Sequence, residues 1–249
     1  MCREKKYEEG PLSFKGIALS LGELERRRIL GARPEAVERV APALCSDDLV
    51  AQHVARYRWA SKRVKDRVVA DICSGTGYGS ELTWRAGARW VASLDASMDG
   101  LTFGAKNYWT LPVCGDAHYL PLKAEAFDTV VSLETVEHLA NPAVFAGELW
   151  RVLRAGGRLL LSTPNAAGDL EPNPFHLKEF TLDELTGLLN TAGFRIIRVK
   201  GQHWRLPFKL CQTVRGVRKL AWEFERRPRV LPRVIPGSVP RYWCIEALK

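Results

Sequence analysis

The chain has 249 residues, 46% hydrophobic and 26% charged, enough for one α/β domain with a sizeable core plus appendages. Its formal charge is +9, but residues 195–249 hold 14 Lys and Arg against three acids, so the excess sits on one appendage and points there either to an anionic substrate, nucleic acid or a membrane surface or to basic residues that solubilise an amphipathic segment. Six scattered cysteines without a Cys-x-x-Cys pair, no apolar signal-peptide core and no apolar run near about 18 residues argue against a zinc ribbon, a disulfide framework or a membrane span, and a cytoplasmic protein is expected.

In chain order, residues 1–46 are charged and irregular and read as a partly disordered N-terminal cap. Asp47-Asp48 suits the start of a helix reaching Val64 and opens the main domain, 47–249. Within that helix Arg56 reads as a surface charge. The apolar run Val68-Val69-Ala70-Asp71-Ile72 then breaks into Cys73-Ser74-Gly75-Thr76-Gly77-Tyr78-Gly79 and continues as a helix. Strand, glycine turn and helix set backbone N–H groups and a helix N-terminus against a ligand, and glycine admits the positive φ or close approach that such a turn needs. The spacing Asp-x-x-x-Gly-x-Gly-x-Gly is neither the dinucleotide Gly-x-Gly-x-x-Gly nor a phosphate loop.

Strands near 68–72, 90–95, 112–114, 128–133 and 158–162 alternate with helices, which predicts a parallel sheet covered on both faces. Thr181-x-x-Glu184 resembles a capping box opening a helix to Thr191, with Gly193 after its end and a strand from Phe194 to Lys200. Residues 201–240 read as a basic helical insertion. In it Leu206, Leu210, Val214, Val217, Ala221 and Phe224 form one stripe opposite Arg215, Arg218 and Lys219, so 205–227 is a candidate for packing on the domain, for covering substrate or for peripheral membrane contact. Pro228, Pro232, Pro236 and Pro240 make a stiff return to a last strand, Tyr242–Ala247, expected antiparallel at the sheet edge.

The glycine turn resembles motif I of class I S-adenosylmethionine (SAM) dependent methyltransferases, and four further segments match in order. Trp90–Asp95 resembles the second strand, Cys114-Gly115-Asp116-Ala117 the adenine-contacting Gly-Asp-Ala, Phe127–Ser132 the fourth strand, and Arg151–Gly157 the turn before the fifth. The resemblance implies a Rossmann-like sheet of seven strands, mostly parallel with an antiparallel last strand. It implies SAM as cofactor, held by Asp71, Cys73, Gly75, Thr76, Gly77, Tyr78, Asp95, Ala96, Asp116, Ala117 and Glu134, with Asp95 on the ribose hydroxyls. Tyr57 joins this set from a helix that lies over the cofactor in such enzymes; the Cys73 side chain itself reads as packing.

After the fourth strand comes Glu134-Thr135-Val136-Glu137-His138. If a helix begins there, Glu134, Glu137 and His138 share one face and suit Mg²⁺ or Mn²⁺ more than zinc. The motif is similar to the metal motif of ubiquinone-pathway O-methyltransferases and of small-RNA 3′-terminal 2′-O-methyltransferases. The latter add a histidine after strand five, here His176 in Asn173-Pro174-Phe175-His176. Glu134, Glu137, His138 and His176 are therefore the candidate metal ligands, with His176 and His138 as candidate bases. An alcohol nucleophile needs its proton removed by such a base or loosened by a metal. The function implied is O-methylation of a small molecule or a glycan hydroxyl. RNA 2′-O-methylation and a non-catalytic SAM-binding scaffold are the alternatives.

Overall fold

The computed structural model describes residues 47–168, 170, 173–203, 229–232 and 239–249. Met1–Val50 and Ala51–Lys249 are separate compact units, and the cap expected over 1–46 lies outside the described residues.

One sheet contains β1 (Val68–Ile72), β2 (Trp90–Asp95), β3 (Leu111–Cys114), β4 (Phe127–Leu133), β5 (Leu153–Pro164), β6 (Arg195–His203), β7 (Arg229–Pro232) and β8 (Tyr242–Leu248). The order is β3-β2-β1-β4-β5-β8-β6-β7. Strands β1 to β5 pair in parallel, and β8 runs antiparallel to both β5 and β6. The seven expected strands are all present, and two placements are corrected. The last strand is not at the edge: β8 is inserted between β5 and β6, and six of its seven residues, all but Leu248, are buried. Strand β6 runs on to His203, and β7 pairs with its Lys200–His203 end, so both ends of the expected 201–240 insertion contain strand. The helical stripe Leu206–Phe224 lies outside the described residues.

The helices are α1 (Asp47–Ala60, followed by a 3₁₀ turn at Ser61–Arg63), α2 (Tyr78–Arg85), α3 (Met98–Asn107), α4 (Pro142–Val152) and α5 (Leu182–Thr191). Helix α5 carries the full capping box: the Thr181 hydroxyl accepts from the Glu184 N–H, and the Glu184 carboxylate accepts from the Thr181 N–H. Phe145 and Leu149 of α4 and Leu185 and Leu189 of α5 are fully buried in one core with Ala70, Ile72, Val130, Leu159, Leu161 and Ile245. These six sheet residues alternate along their strands, so they share one face. The opposite face carries Asp71, which bonds to α1 and α2 through Tyr57 and Ser80. Helices thus cover both faces.

Candidate functional site

The glycine turn takes the shape that its spacing predicts. Gly75 and Gly77 have φ of +59° and +81°, which any side chain would strain. A Cβ added at Gly75 would meet no atom within 4 Å, so the turn faces open space there. Cys73 is also left-handed, at φ +58°, and its partly buried side chain packs against the core. Burial, and then Asp95, push its thiol up to about 12, so it is no nucleophile at neutral pH.

Two carboxylates flank the turn. Asp95, at the tip of β2, accepts the Gly75 N–H at 2.9 Å and the Ser97 N–H at 2.9 Å. Asp71, fully buried, accepts the Ser80 hydroxyl at 2.7 Å and the Tyr57 hydroxyl at 3.3 Å. Burial raises the Asp71 pKa to about 7 even though both hydroxyls oppose the shift. Thr76 and Tyr78 are buried beside the turn, and Ala96 is exposed after β2.

Beyond β3, Asp116 is exposed and Ala117 buried. One oxygen of Asp116 accepts both the His118 N–H and the His118 ring Nδ1, each at 2.8 Å. These bonds, backbone first, hold the carboxyl below the usual carboxylate range. The other ring nitrogen, Nε2, accepts the Asn141 N–H at the start of α4, which fixes Nδ1 as the protonated nitrogen. Sequence reading passed over His118, because only the fold brings Asn141 to it.

After β4 the geometry departs from the expected helix. Glu134 is left-handed, at φ +58°, and Val136–His138 form a 3₁₀ turn, with α4 starting only at Pro142. Glu134 pairs with Arg56 Nη2, at 3.6 Å, and accepts the Ser162 hydroxyl, at 3.0 Å, while its charge is still felt by Glu137, His138 and His176. Arg56 is not a surface charge: it is fully buried. Its guanidinium bonds to Gln202 and lies 4.2 Å from the centroid of the Tyr242 ring. Gln202 in turn donates to the Gln52 carbonyl.

Glu137, His138 and His176 do converge, each offering a ligand atom within 4.8 Å of the others. The Glu137 carbonyl accepts the N–H groups of Leu177 and Lys178, which draws the loop after β5 onto the tip of β4. Glu137 is fully buried; one oxygen accepts the Thr163 hydroxyl at 2.9 Å and the other has no hydrogen bond. Burial, and next Glu134, raise its pKa well above the ordinary value. The Phe175 carbonyl can only accept, so His138 Nδ1 is the donor to it, and Nε2 lies 3.9 Å from a Glu137 oxygen. His176 lies 4.9 Å from His138, ring to ring, and its nitrogens bond to Asn173 and Glu179.

Comparisons with known proteins bear on the family and the fold. A family model described as a methyltransferase domain matches residues 70–161. A probable SAM-dependent methyltransferase of Mycolicibacterium smegmatis is 36% identical over 172 residues, 66% of each chain. One of Mycobacterium tuberculosis is 36% identical over 149 residues, 57% of this chain and 54% of that protein. The chain thus spans between half and two thirds of the length of these relatives. A SAM-dependent methyltransferase structure from Thermotoga maritima shares the fold at a TM-score of 0.61 and 19% identity, covering 79% of this chain and 89% of that one. With strand order, glycine turn and the acid at the tip of β2 agreeing with a methyltransferase domain matched over the same strands, the chain belongs to the class I SAM-dependent methyltransferases.

Proposed function

We propose that the protein transfers the methyl group of SAM to a hydroxyl of a small-molecule or glycan acceptor. The observation that carries the SAM half is the glycine turn, open at Gly75 and tied to the Asp95 carboxylate. In this reading Asp95 holds the ribose hydroxyls, Asp116 and Ala117 the adenine, and Asp71, Thr76 and Gly77 the remainder of the nucleoside and its amino-acid arm. Glu134 and Tyr57 stand one step back, through Arg56 and Asp71 respectively.

The acceptor half rests on the pair His138 and His176 at the tip of β4, beside the β1 tip that ends in the turn. The acceptor oxygen attacks the methyl carbon in line, the carbon–sulfur bond breaks toward sulfur, and the hydroxyl proton passes to the lone pair of His138 Nε2. The products are a methyl ether, S-adenosylhomocysteine and a protonated imidazole, which returns its proton to water. Because the sulfonium is itself reactive, the protein's part is alignment and proton removal.

A second reading is favoured by the buried Glu137 oxygen that has no hydrogen bond. Glu137 and His138 suit Mg²⁺ or Mn²⁺, with His176 joining if it gives up Asn173 or Glu179; the ion would lower the pKa of the acceptor hydroxyl. Transfer of labelled methyl from SAM to phenolic, glycan and RNA pools, with and without EDTA, separates the readings. Turnover on phenolic or glycan acceptors that survives EDTA and falls at least tenfold in His138→Ala supports the base. Loss in EDTA that Mg²⁺ or Mn²⁺ restores supports the metal, and labelling of RNA alone overturns the acceptor class. Asp95→Ala is expected to weaken S-adenosylhomocysteine binding at least tenfold by calorimetry, since a charged hydrogen-bond partner is lost.

A further inference from the structure

At the other end of the sheet Arg63 and Arg158 hold one acid, and Arg67 and Arg198 lie near Arg158. Glu246 of β8 is buried, and its Oε1 is 3.3 Å from Arg63 Nε and also contacts Arg158 Nη1. Arg198 is its direct partner on β6, so their side chains share a face. Leu160 is its partner on β5, which sets Arg158, two residues earlier, on that same face. Arg158 pairs through Thr129 to Val69, and Arg67 precedes Val69 by two residues. Asp128, which also feels Arg67, is taken up by Arg154 at 2.6 Å and by the Val68 N–H at 2.9 Å.

Charge at this end is therefore out of balance. Arg158 is held below the usual guanidinium range, first by burial and then by Arg63, Arg67 and Arg198. Its side chain is 33% exposed and that of Arg63 22%, so an anion from solvent can reach both. Guanidiniums present paired N–H donors that match phosphoryl oxygens. Glu246 Oε2 is buried and has no hydrogen bond, and an ionised carboxylate only accepts. A ligand that satisfies the arginines must accept several hydrogen bonds, and one that also parts the cover of this oxygen must donate one. Hydrogen phosphate and singly protonated phosphate monoesters have that P–OH; sulfate does not.

We propose that Arg63, Arg67, Arg158 and Arg198, with Glu246 as acceptor, form a binding site for a hydrogen-phosphate group. The site is separate from methyl transfer: Arg67 precedes the five-residue β1 and the glycine turn follows it, a separation of about 16 Å along the strand. It would anchor a phosphorylated small molecule or a phosphate headgroup remote from the reacting centre.

The test is thermal unfolding of the full chain in inorganic phosphate, sulfate and chloride at matched pH and ionic strength. Phosphate is expected to raise the melting temperature saturably and more than either other anion. Arg198→Gln and Arg67→Gln, both at exposed residues, are expected to weaken phosphate binding about tenfold each, the loss of one charge-assisted bond. In phosphate-free chloride buffer neither variant should melt far below the native chain, because the attraction each loses to Glu246 or Asp128 is offset by relief of repulsion at Arg158; a purely structural arginine would lower it markedly. Affinity for S-adenosylhomocysteine should not change. Sedimentation with phosphatidylcholine vesicles only when they carry phosphatidic acid, lost in Arg198→Gln, assigns a lipid headgroup; a phosphate shift without sedimentation assigns a soluble phosphate. Three anions acting alike, sulfate matching phosphate, or variants that keep the native phosphate affinity would overturn the site.

Discussion

The Asp71 carboxyl sits beneath α1 and α2 with two hydroxyl donors and, among the described residues, no cation bonded to it, and its pKa rises to about 7. The unfolded value is near 3.8. Below that pH both states are protonated and the residue is neutral in the balance. Between about 4 and 7 the unfolded chain ionises first, so native stability falls as pH rises, and above 7 the cost is complete at about 4 kcal/mol. Asn cannot ionise. The melting temperature of Asp71→Asn minus that of the native chain should therefore increase from pH 4 to pH 8, and calorimetry showing a flat difference would refute the burial argument. Such an acid spends part of its time charged in a poor solvent for charge, and a ligand bearing an ammonium group would relieve it.

At the scale of elements, α1 and α2 meet without spacing. A Cβ on Gly79 would lie 1.9 Å from Cζ of Tyr57, so the Tyr57 ring stands directly on the first turn of α2. That contact sets the height of α1 over the turn and keeps the Tyr57 hydroxyl on Asp71. Gly79→Ala should cost about 2 kcal/mol as overpacking, measured by denaturant unfolding. In a Tyr57→Ala background the same change should cost far less; equal costs in the two backgrounds would show that the ring is not the obstacle. The turn after β4 is a second such junction. Its left-handed Glu134 at the tip of a strand is backbone strain of the kind held in place by neighbours, here Arg56 and Ser162.

Across the whole molecule, Arg56 ties α1 to the tip of β4 through Glu134, to the end of β6 through Gln202 and to the start of β8 through Tyr242. Replacing it with Met leaves Glu134 largely buried and unpaired, which should destabilise the protein by about 3–5 kcal/mol. Arg56→Met with Glu134→Gln should recover most of that loss in urea melts; no recovery would show that Arg56 acts by packing alone. No helix among the described residues is long and apolar enough to cross a membrane. The elements whose signals are short-range were legible in advance. The apolar runs of β1 and β2, the glycine turn with its positive φ and the Thr181 capping box depend on residues within a few positions of one another, and their bounds came out as read. What only tertiary structure decided were partnerships at long range. Gln202 is 146 residues from Arg56, so a buried ion looked like a surface one. A left-handed Glu134 and a 3₁₀ turn replaced the expected helix after β4, while the loop carrying His176 was drawn in by the Glu137 carbonyl. Strand β8 entered between β5 and β6 because a strand covered by pairing on both sides satisfies its backbone better than one at an edge, a choice invisible in its own seven residues.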